Sequence, residues 1–340
     1  MACISGALAR CGFRAEPFYP ASAFTRDIMK ILVTDPIADE AMDMLKEQHE
    51  VTFNNITGSE LAAEIGPYHG LMVRSGTQVT REVIEAADNL MVIGRAGIGV
   101  DNIDLEAASE RDVKAVNSPT GATPSVAELT IAHMLSLARH LPRADRTMKA
   151  GEWAKKQLKG SELKGKTLGL VGCGNIGQEV GRRAVAFDMD VLYYSRSRKP
   201  SFEKECGARY ADLDELLAAS DYVSLHIPIT QETRHLIGKR ELSAMKSHAY
   251  LVNCARGGVV DEDALYEALK NGDIAGAALD VYEQEPPGET KLAELDNVVM
   301  TPHLGAATVE GQIRAGTICA EQMLMVLDGE TPDFWVNRKK

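Results

Sequence analysis

The sequence predicts an α/β protein built from two doubly wound parallel sheets, and three observations lead to that prediction. The chain has 340 residues, enough for two domains at roughly 100 to 200 residues each. Short apolar runs alternate with helical patterns along most of its length, as strand–helix–strand units do. The alternation stops at a long apolar stretch near 125–139 and starts afresh near residue 167. We therefore expect two separate sheets, each covered by helices on both faces.

The first series of elements starts at Met29, which leads directly into the apolar strand 31–33. Its other strands and helices are expected at 37–48, 71–73, 80–87, 91–93 and 105–111. Pro and Gly within 117–121 interrupt the pattern before the apolar helix, so this segment is the candidate hinge. Residues 1–28 share an arginine bias with transit peptides. We interpret them instead as an extension, either disordered or translated from an upstream start codon.

A second series opens with strand 167–171. Its further strands are expected at 191–194, 222–225, 250–253, 275–279 and 298–301. This is the strand count of a complete dinucleotide-binding fold. Residues 306–328 form one final predicted helix, too short for a third domain and long enough to pack on the first.

Composition excludes several classes of protein. The net charge of -12 opposes a nucleic-acid backbone, so no nucleic-acid partner is expected. No apolar run approaches the roughly 20 residues that span a bilayer, so no membrane span is expected either. The cysteines lack the spacing of a zinc site or a disulfide framework: Cys3, Cys11, Cys173, Cys206, Cys254 and Cys319. We expect reduced thiols, no metal and a cytoplasmic location.

The segment Gly172-Cys173-Gly174-Asn175-Ile176-Gly177 follows an apolar strand directly and opens a helix. A dinucleotide-binding loop needs this context. The first glycine permits the tight turn, the second lets the backbone approach a pyrophosphate, and the third allows close packing of helix on strand. The helix N-terminus attracts the anion. The predicted cofactor contacts here are Gly172, Gly174, Asn175, Ile176 and Gly177, and the alternative is a glycine-rich turn without a ligand.

The end of the next strand predicts which dinucleotide is used. NAD enzymes normally carry Asp or Glu about 20 residues after the loop to bind the ribose hydroxyls. This chain has Ser195-Arg196-Ser197-Arg198-Lys199, with no carboxylate between Asp190 and Glu203. Hydroxyl and guanidinium groups suit a 2′-phosphate, so the segment from Ser195 to Lys199 predicts a preference for NADPH over NADH. Ser195, Arg196, Ser197 and Arg198 are the predicted contacts. The alternative is a solvated basic turn.

Three polar segments follow predicted strands of the second series, at 253–258, 280–287 and 301–305. Since ligands collect at the carboxyl ends of parallel strands, these segments are expected to meet there. Arg256 suits binding a carboxylate and polarising a carbonyl, and His303 suits proton transfer. Glu285 would stabilise the protonated imidazole and orient it. Such a set could reduce a 2-keto acid or oxidise a 2-hydroxy acid.

Each of these three residues also has a simpler interpretation. Arg256 could form an ordinary ion pair at a strand end, Glu285 could be a loop carboxylate, and a single histidine is usually structural or on the surface. The other histidines carry no comparable surroundings in the sequence: His49, His69, His133, His140, His226, His235 and His248. The joint occurrence of the three residues after a dinucleotide loop favours the functional interpretation.

From about Met29 to Asp328 the sequence resembles the D-isomer-specific 2-hydroxyacid dehydrogenase family. The similarity rests on four motifs in family order: G-C-G-N-I-G, N-C-A-R-G-G-V-V-D-E, D-V-Y-E-Q-E-P-P and T-P-H-L-G-A-A-T. It implies that Arg256, Glu285 and His303 are catalytic and that Asp280 holds the nicotinamide carboxamide. Further cofactor contacts are expected at Ile227, Pro228, Cys254, Ala255 and Gly305.

The resemblance also implies a domain organisation. A central Rossmann NAD(P)-binding domain would span 121–305, and a flavodoxin-like substrate-binding domain would combine 29–120 with 306–340. A helix and arm at about 119–158 would form a homodimer, with a tetramer as the alternative. The substrate would be a small anionic 2-hydroxy or 2-keto acid.

Within the family, the first half is most similar to D-3-phosphoglycerate dehydrogenases, through 73–77, 94–102 and 149–153. Arg74 and Arg95 follow predicted strands and would face the cleft, where two guanidinium groups could bind the phosphate of 3-phosphoglycerate. Ser75 and Gly76 could offer N–H groups to the substrate carboxylate. The other substrate contacts are expected at Gly97, Arg256 and His303. The alternative is that one of the two arginines pairs with a structural carboxylate.

Some features favour other assignments. The segment 195–199 is similar to that of NADPH-using glyoxylate and hydroxypyruvate reductases, which favours the reductive direction, whereas those reductases generally lack an arginine at position 95. The chain ends soon after its last helix, so a serine-binding regulatory domain, and feedback by serine, are not expected. Relatives of this fold also serve as nucleotide-sensing corepressors, and measuring turnover would distinguish such a protein from an enzyme.

Overall fold

Within residues 27–338, which the computed structural model describes, five parallel strands form the first sheet. They are β1 (Lys30–Val33), β2 (Glu50–Phe53), β3 (Gly70–Val73), β4 (Val92–Arg95) and β5 (Lys114–Asn117). The helices between them are α1 (Asp39–Lys46), α2 (Gly58–Glu64), α3 (Arg81–Glu85) and α4 (Leu105–Glu110). The spatial order β2-β1-β3-β4-β5 is the flavodoxin-like order. Of the extension interpreted at residues 1–28, residues 1–26 lie outside the described part of the chain.

Helices cover both faces of this sheet. Leu61, Val83 and Ile84 from α2 and α3 pack on one face, and Ala41 and Leu45 from α1 pack on the other. The inner strands β1, β3 and β4 are almost fully buried, which explains why their apolar runs were recognisable. The prediction missed β2 and β5, which are the two edge strands. Both are partly exposed and carry polar residues, so their pattern is weaker.

Two helices connect the sheets. The apolar helix predicted from the sequence is α5 (Thr123–Arg139), and α6 (Leu141–Lys149) follows it directly. Pro124 stands in the first turn of α5, a position that proline tolerates because its missing N–H has no partner there. The buried side of α5, including Val126, Ile131 and Met134, joins the core of the second sheet. In contrast, α6 buries none of its residues.

The second sheet has seven parallel strands among the described residues. They are β6 (Thr167–Val171), β7 (Asp190–Tyr194), β8 (Arg209–Tyr210), β9 (Tyr222–Leu225), β10 (Tyr250–Asn253), β11 (Gly276–Leu279) and β12 (Val298–Met300). The intervening helices are α7 (Asn175–Ala186), α8 (Pro200–Cys206), α9 (Leu213–Ala219), α10 (Lys239–Ala244), α11 (Glu262–Asn271) and a 3₁₀ turn (Lys291–Glu294). The order β12-β11-β10-β9-β6-β7-β8 reverses direction between β6 and β9, where doubly wound sheets bind ligands. The predicted fold class is confirmed, and the two-residue β8 is an addition.

The last helix, α12 (Val309–Leu327), returns to the first sheet and packs on β4, β5 and α1. Cys319 and Met323 are fully buried in that contact. A Cβ at Gly94 would overlap Met323 Sδ, so the glycine in β4 lets the helix lie close to the sheet. The predicted domain boundaries stay a prediction. No helix of residues 27–338 is long and apolar enough to cross a bilayer.

The segment after α12 closes the edge of β5, a feature that the sequence did not predict. Trp335 forms an antiparallel bridge with Val116. The Asn337 amide accepts hydrogen bonds from the Ala115 N–H and the Trp335 indole, and it donates to Ser109 and the Val113 carbonyl. This fully paired side chain fastens the end of the described chain to the first sheet.

Candidate active site

The three segments predicted to carry the chemistry lie at one edge of the second sheet. The strands β10, β11 and β12 are parallel neighbours. Residues 253–258, 280–287 and 301–305 lie at or directly after their carboxyl ends. Parallel pairing therefore brings together residues that are far apart in the sequence.

Glu285 and His303 form a hydrogen-bonded pair. His303 Nδ1 lies 2.6 Å from Glu285 Oε2, and Glu285 Oε1 accepts the N–H of Tyr282 at 3.1 Å. Both carboxylate oxygens are thus held, and one accepts the proton on Nδ1. This arrangement leaves Nε2 as the ring atom available for proton exchange. The side chains are 48% and 37% exposed, so the pair faces open space rather than the core.

Arg256 forms an ion pair that links the two sheets. Its Nε donates to Asp101 Oδ2 at 3.0 Å, and its Nη1 donates to the Ala255 carbonyl at 2.7 Å. Asp101 lies in the segment that follows β4 of the first sheet. A Cβ at Gly99 would overlap Arg256 Nη2, so this glycine makes room for the guanidinium. No hydrogen bond of the described residues joins Arg256 directly to the imidazole–carboxylate pair. The role of Asp101 was missed, although its motif was noted.

Asp280 is buried beneath the same edge, with 1% of its surface exposed. Its Oδ1 accepts the Thr301 hydroxyl at 2.6 Å and the Leu304 N–H at 2.7 Å. Its Oδ2 accepts the Gly305 N–H at 2.8 Å. Three of about four acceptor positions on the carboxylate are therefore filled, and one on Oδ2 has no hydrogen-bond donor among the described residues.

His133 stands behind Thr301, on α5. Its Nε2 lies 3.2 Å from Thr301 Oγ1, and its Nδ1 lies 3.5 Å from Cys254 Sγ. Burial lowers the pKa of His133, while the nearby Asp280 acts in the opposite direction. Burial raises the pKa of the Cys254 thiol to about 12. The Cys254 side chain thus faces α5. His133 was missed because its partners, Cys254 and Thr301, follow strands and lie more than 100 residues away in the sequence.

The glycine loop has the geometry that a dinucleotide needs. Gly172 has φ 103°, a conformation that only glycine adopts readily, and a Cβ there would collide with the segment after β9, which carries Ile227 and Pro228. A Cβ at Gly177 would overlap the Gly172 carbonyl, whereas one at Gly174 would enter open space. No side chain caps the N-terminus of α7. The backbone N–H groups of Asn175, Ile176 and Gly177 are therefore available to a pyrophosphate. The glycine loop and this helix end fit a dinucleotide cofactor.

The two arginines of the segment after β7 differ in their contacts. Arg198 makes two hydrogen bonds to Glu203, of 3.1 and 2.9 Å, and lies over the Tyr210 ring. Its Nε and one N–H of Nη2 are thereby occupied, and its predicted contact with the cofactor stays a prediction. Ser195 donates to the Ser197 carbonyl at 2.5 Å, which tightens the turn. Arg196 forms no ion pair within 4.0 Å among residues 27–338, so its whole guanidinium remains available to a ligand.

Arg74 and Arg95 lie after β3 and at the end of β4, facing the position of Arg256. Burial, followed by repulsion from Arg256, lowers the pKa of Arg95. The Nε of Arg95 is buried and has no hydrogen-bond partner among the described residues. A Cβ at Gly97 would overlap the Arg95 guanidinium, so this glycine provides its space. Arg74 Nη1 donates to the Pro36 carbonyl at 3.1 Å.

The loop that carries Ser75 and Gly76 is held by Asp35, which the sequence did not single out. Asp35 Oδ2 accepts the N–H groups of Arg74 at 2.6 Å and Thr77 at 3.2 Å. A Cβ at Gly76 would crowd Asp35 Oδ1. The Asp35 carboxylate, two residues after the end of β1, therefore fixes the backbone of this loop.

The chain is similar in sequence and in fold to known dehydrogenases and reductases. Residues 131–305 match the family model described as "D-isomer specific 2-hydroxyacid dehydrogenase, NAD binding domain". A D-3-phosphoglycerate dehydrogenase of Methanocaldococcus jannaschii is 50% identical over 312 residues, covering 91% of this chain and 60% of the relative. A hydroxypyruvate reductase of Thermotoga maritima is 48% identical, covering 88% of this chain and 98% of the relative. The solved TT0316 protein of Thermus thermophilus superposes with a TM-score of 0.84 at 39% identity, covering 91% and 100% of the two chains.

The chain spans about 60% of the length of the first phosphoglycerate dehydrogenases that it matches, and nearly the full length of the reductase. The family model covers residues 131–305, from the middle of α5 to the second residue after His303, including the glycine loop. This protein is therefore a member of the D-isomer specific 2-hydroxyacid dehydrogenase family, and it carries the NAD-binding domain of that family.

Proposed function

We propose that this chain is an NAD(P)-dependent dehydrogenase that transfers a hydride at C2 of a small D-2-hydroxy acid, with 3-phosphoglycerate as its substrate. The observation that supports it most is the 2.6 Å contact between His303 and Glu285. This contact lies at the sheet edge where the glycine loop would hold a dinucleotide. An acid–base pair beside a hydride carrier is what interconversion of an alcohol and a ketone requires.

The chain's own residues supply the proton and the charge. When bound, the nicotinamide ring gives or takes the hydride. His303 Nε2 donates a proton to the developing alkoxide in reduction and removes it from the hydroxyl in oxidation, while Glu285 stabilises the imidazolium. Arg256 binds the substrate carboxylate through the N–H groups that Asp101 leaves free and polarises the C2 carbonyl.

The assignment of 3-phosphoglycerate is supported by Arg74 and Arg95. Arg95 has a buried Nε without a hydrogen-bond partner, and burial lowers its pKa although the nearby Asp101 acts in the opposite direction, so its charge is only partly compensated among the described residues. A phosphate dianion at the far end of a three-carbon acid would provide that charge. Ser75 and Gly76, whose loop is fixed by Asp35, would meet the substrate with their N–H groups.

Steady-state kinetics of the Arg95→Ala variant test this assignment. Loss of charge-assisted hydrogen bonds of about 1.5 to 3 kcal/mol should lower kcat/KM for 3-phosphoglycerate by roughly 10- to 150-fold. Glyoxylate, which has no phosphate, should lose less than threefold. Arg81→Ala is the matched control, because Arg81 is an exposed arginine of the same domain paired with Glu110. Equal losses for both substrates would exclude Arg95 from phosphate binding.

A second candidate is an NADPH-dependent glyoxylate or hydroxypyruvate reductase. The basic segment from Ser195 to Lys199 favours it, as does a relative of nearly equal length named hydroxypyruvate reductase. A panel of 3-phosphoglycerate, hydroxypyruvate, glyoxylate and D-lactate with each cofactor would distinguish the two. Dominant kcat/KM for hydroxypyruvate or glyoxylate would replace our first assignment.

Assembly and location belong to the same proposal. Leu141, Met148 and Trp153 are exposed, Trp153 to 77%, although large apolar side chains usually find a partner. They lie within the helix and arm at 119–158, which we propose as the homodimer interface. The cysteines at 173, 206, 254 and 319 are free thiols, which supports the proposed cytoplasmic location.

A further inference from the structure

A line of hydrogen bonds runs through the interior of the second sheet to the proposed cofactor site. It starts at Cys254 at the end of β10, passes through His133 on α5 and Thr301 after β12, and ends on Asp280 after β11. Sequence reasoning gave His133 no role, and the chemistry at His303 does not use it. All four groups are buried or mostly buried, so water offers them little alternative pairing.

The direction of these hydrogen bonds follows from the proton inventory. A carboxylate only accepts, and Asp280 already faces two backbone N–H donors, so Thr301 must give it its single hydroxyl proton. The distance of 2.6 Å is typical of a hydroxyl donating to a carboxylate. Thr301 can then only accept from His133, which requires a proton on His133 Nε2.

The other end of the line agrees with this direction. A neutral imidazole protonated at Nε2 has an unprotonated Nδ1, which accepts the S–H of Cys254 at 3.5 Å. Burial favours the neutral thiol and the neutral imidazole, as the directions of their pKa shifts indicate. Each donor therefore has one acceptor, and every proton points toward Asp280.

We propose that His133 is a positioning residue that, through Thr301, fixes the Asp280 carboxylate in the orientation that receives the carboxamide of the nicotinamide cofactor. This proposal rests on the proposed function, since it requires the cofactor to meet the open acceptor position of Asp280 Oδ2. His133 Nε2–H prevents the Thr301 hydroxyl from rotating away from Asp280, because rotation would bring two protons together. One carboxylate rotamer is thus preorganised before the cofactor arrives.

A double-mutant cycle on the full-length protein tests the proposal, with NADH and NADPH dissociation constants measured by calorimetry. His133→Met removes the donor at similar volume and should weaken cofactor binding about 5- to 10-fold. Thr301→Val should weaken it about 10-fold, and Thr301→Ser should restore it. In the Thr301→Val background, His133→Met should have no further effect, because His133 acts through that hydroxyl. A loss of the same size in both backgrounds would overturn the proposal.

Two further measurements keep the test decisive. His133→Gln retains a donor near the place of Nε2 and should bind cofactor within about threefold of wild type. If it binds as weakly as His133→Met, the donor is irrelevant. Nitrogen-15 NMR of the cofactor-free protein should find His133 neutral and protonated at Nε2, and protonation at Nδ1 alone would reverse the line and refute it. If the wild type binds neither dinucleotide, the proposed function fails and the positioning role with it, whereas the NMR result still reports the hydrogen-bond direction.

Discussion

Replacing Glu285 with Gln should isolate the contribution of its charge to turnover. The amide has nearly the same shape, and its oxygen can still accept the proton on His303 Nδ1, so the ring orientation is retained. What is lost is the negative charge 2.6 Å from the imidazole, together with the hydrogen bond from the Tyr282 N–H, because the amide nitrogen of Gln cannot accept it. Hydrogen bonds to charged groups contribute about 1.5 to 3 kcal/mol. Since both side chains are partly exposed, we take the lower half, about 1.5 to 2 kcal/mol. A tenfold change in rate corresponds to about 1.4 kcal/mol, so kcat should fall roughly 10- to 30-fold.

The assay is initial-rate kinetics at saturating cofactor, in the reductive and oxidative directions. KM for the substrate should change less than threefold, because the charge acts on the transition state rather than on substrate binding. The chain contains a matched control: Glu283, two residues away, forms a similar pair with His235 at 2.9 Å. Glu283→Gln should leave kcat within about twofold of wild type. If the two variants lose activity equally, the general effect of charge in this loop explains the result, and His303 and Glu285 do not act as an acid–base pair.

Three other predictions concern the cofactor and stability. Arg196→Ala should raise KM for NADPH about tenfold and leave KM for NADH unchanged. Arg198→Ala should not change one of these KM values more than the other, because Arg198 is paired with Glu203. Equal KM changes for both cofactors in Arg196→Ala would contradict the predicted role of Arg196. Asn337→Ala should lower the free energy of unfolding in urea by about 2 to 4 kcal/mol, since four hydrogen bonds are lost, and a loss below 1 kcal/mol would mean that the segment after α12 does not stabilise the first sheet. Burial lowers the pKa of His226 to about 3. As the pH falls, the unfolded chain therefore binds a proton on this imidazole before the folded chain does. The contribution of His226 to the free energy of unfolding is complete above about pH 6.5 and is lost as the pH falls toward 3. His226→Gln should make unfolding free energy fall less steeply between pH 6.5 and 4.5, and an unchanged slope would exclude His226 as the source.

The sequence predicted those parts of the fold that have strong local causes. The inner strands of both sheets are buried on two faces and have continuous apolar runs, so their positions could be identified. The glycine loop needs particular backbone conformations and close approaches, and these demand glycine at fixed spacing. The edge strands β2 and β5 lack both causes. The bridge between Trp335 and Val116 joins residues more than 200 positions apart, and no local pattern encodes such a contact.

The candidate site divides in the same way. Arg256, Glu285 and His303 could be predicted as candidates because each follows a strand that the sequence had located, and their roles stay a prediction. The groups that support the rest of the site were not predicted. Asp35, which follows β1, supports the loop at 74–77, and His133 contacts Thr301 only because α5 packs across the sheet. A supporting residue is defined by what it contacts, and this contact becomes visible only in three dimensions.

Arg256 illustrates why a structural and a functional interpretation of one residue need not exclude each other. A strand-end ion pair was the simpler interpretation, and the structure contains one, to Asp101. A guanidinium has five N–H donors in a rigid plane. Asp101 occupies Nε, and the Ala255 carbonyl occupies one proton of Nη1, which leaves the second proton of Nη1 and both of Nη2. The ion pair thus fixes the plane of the guanidinium without consuming the donors that a substrate carboxylate would use. Because Asp101 follows a strand of the first sheet and Arg256 follows one of the second, the same pair also couples the arginine's orientation to the relative position of the two sheets.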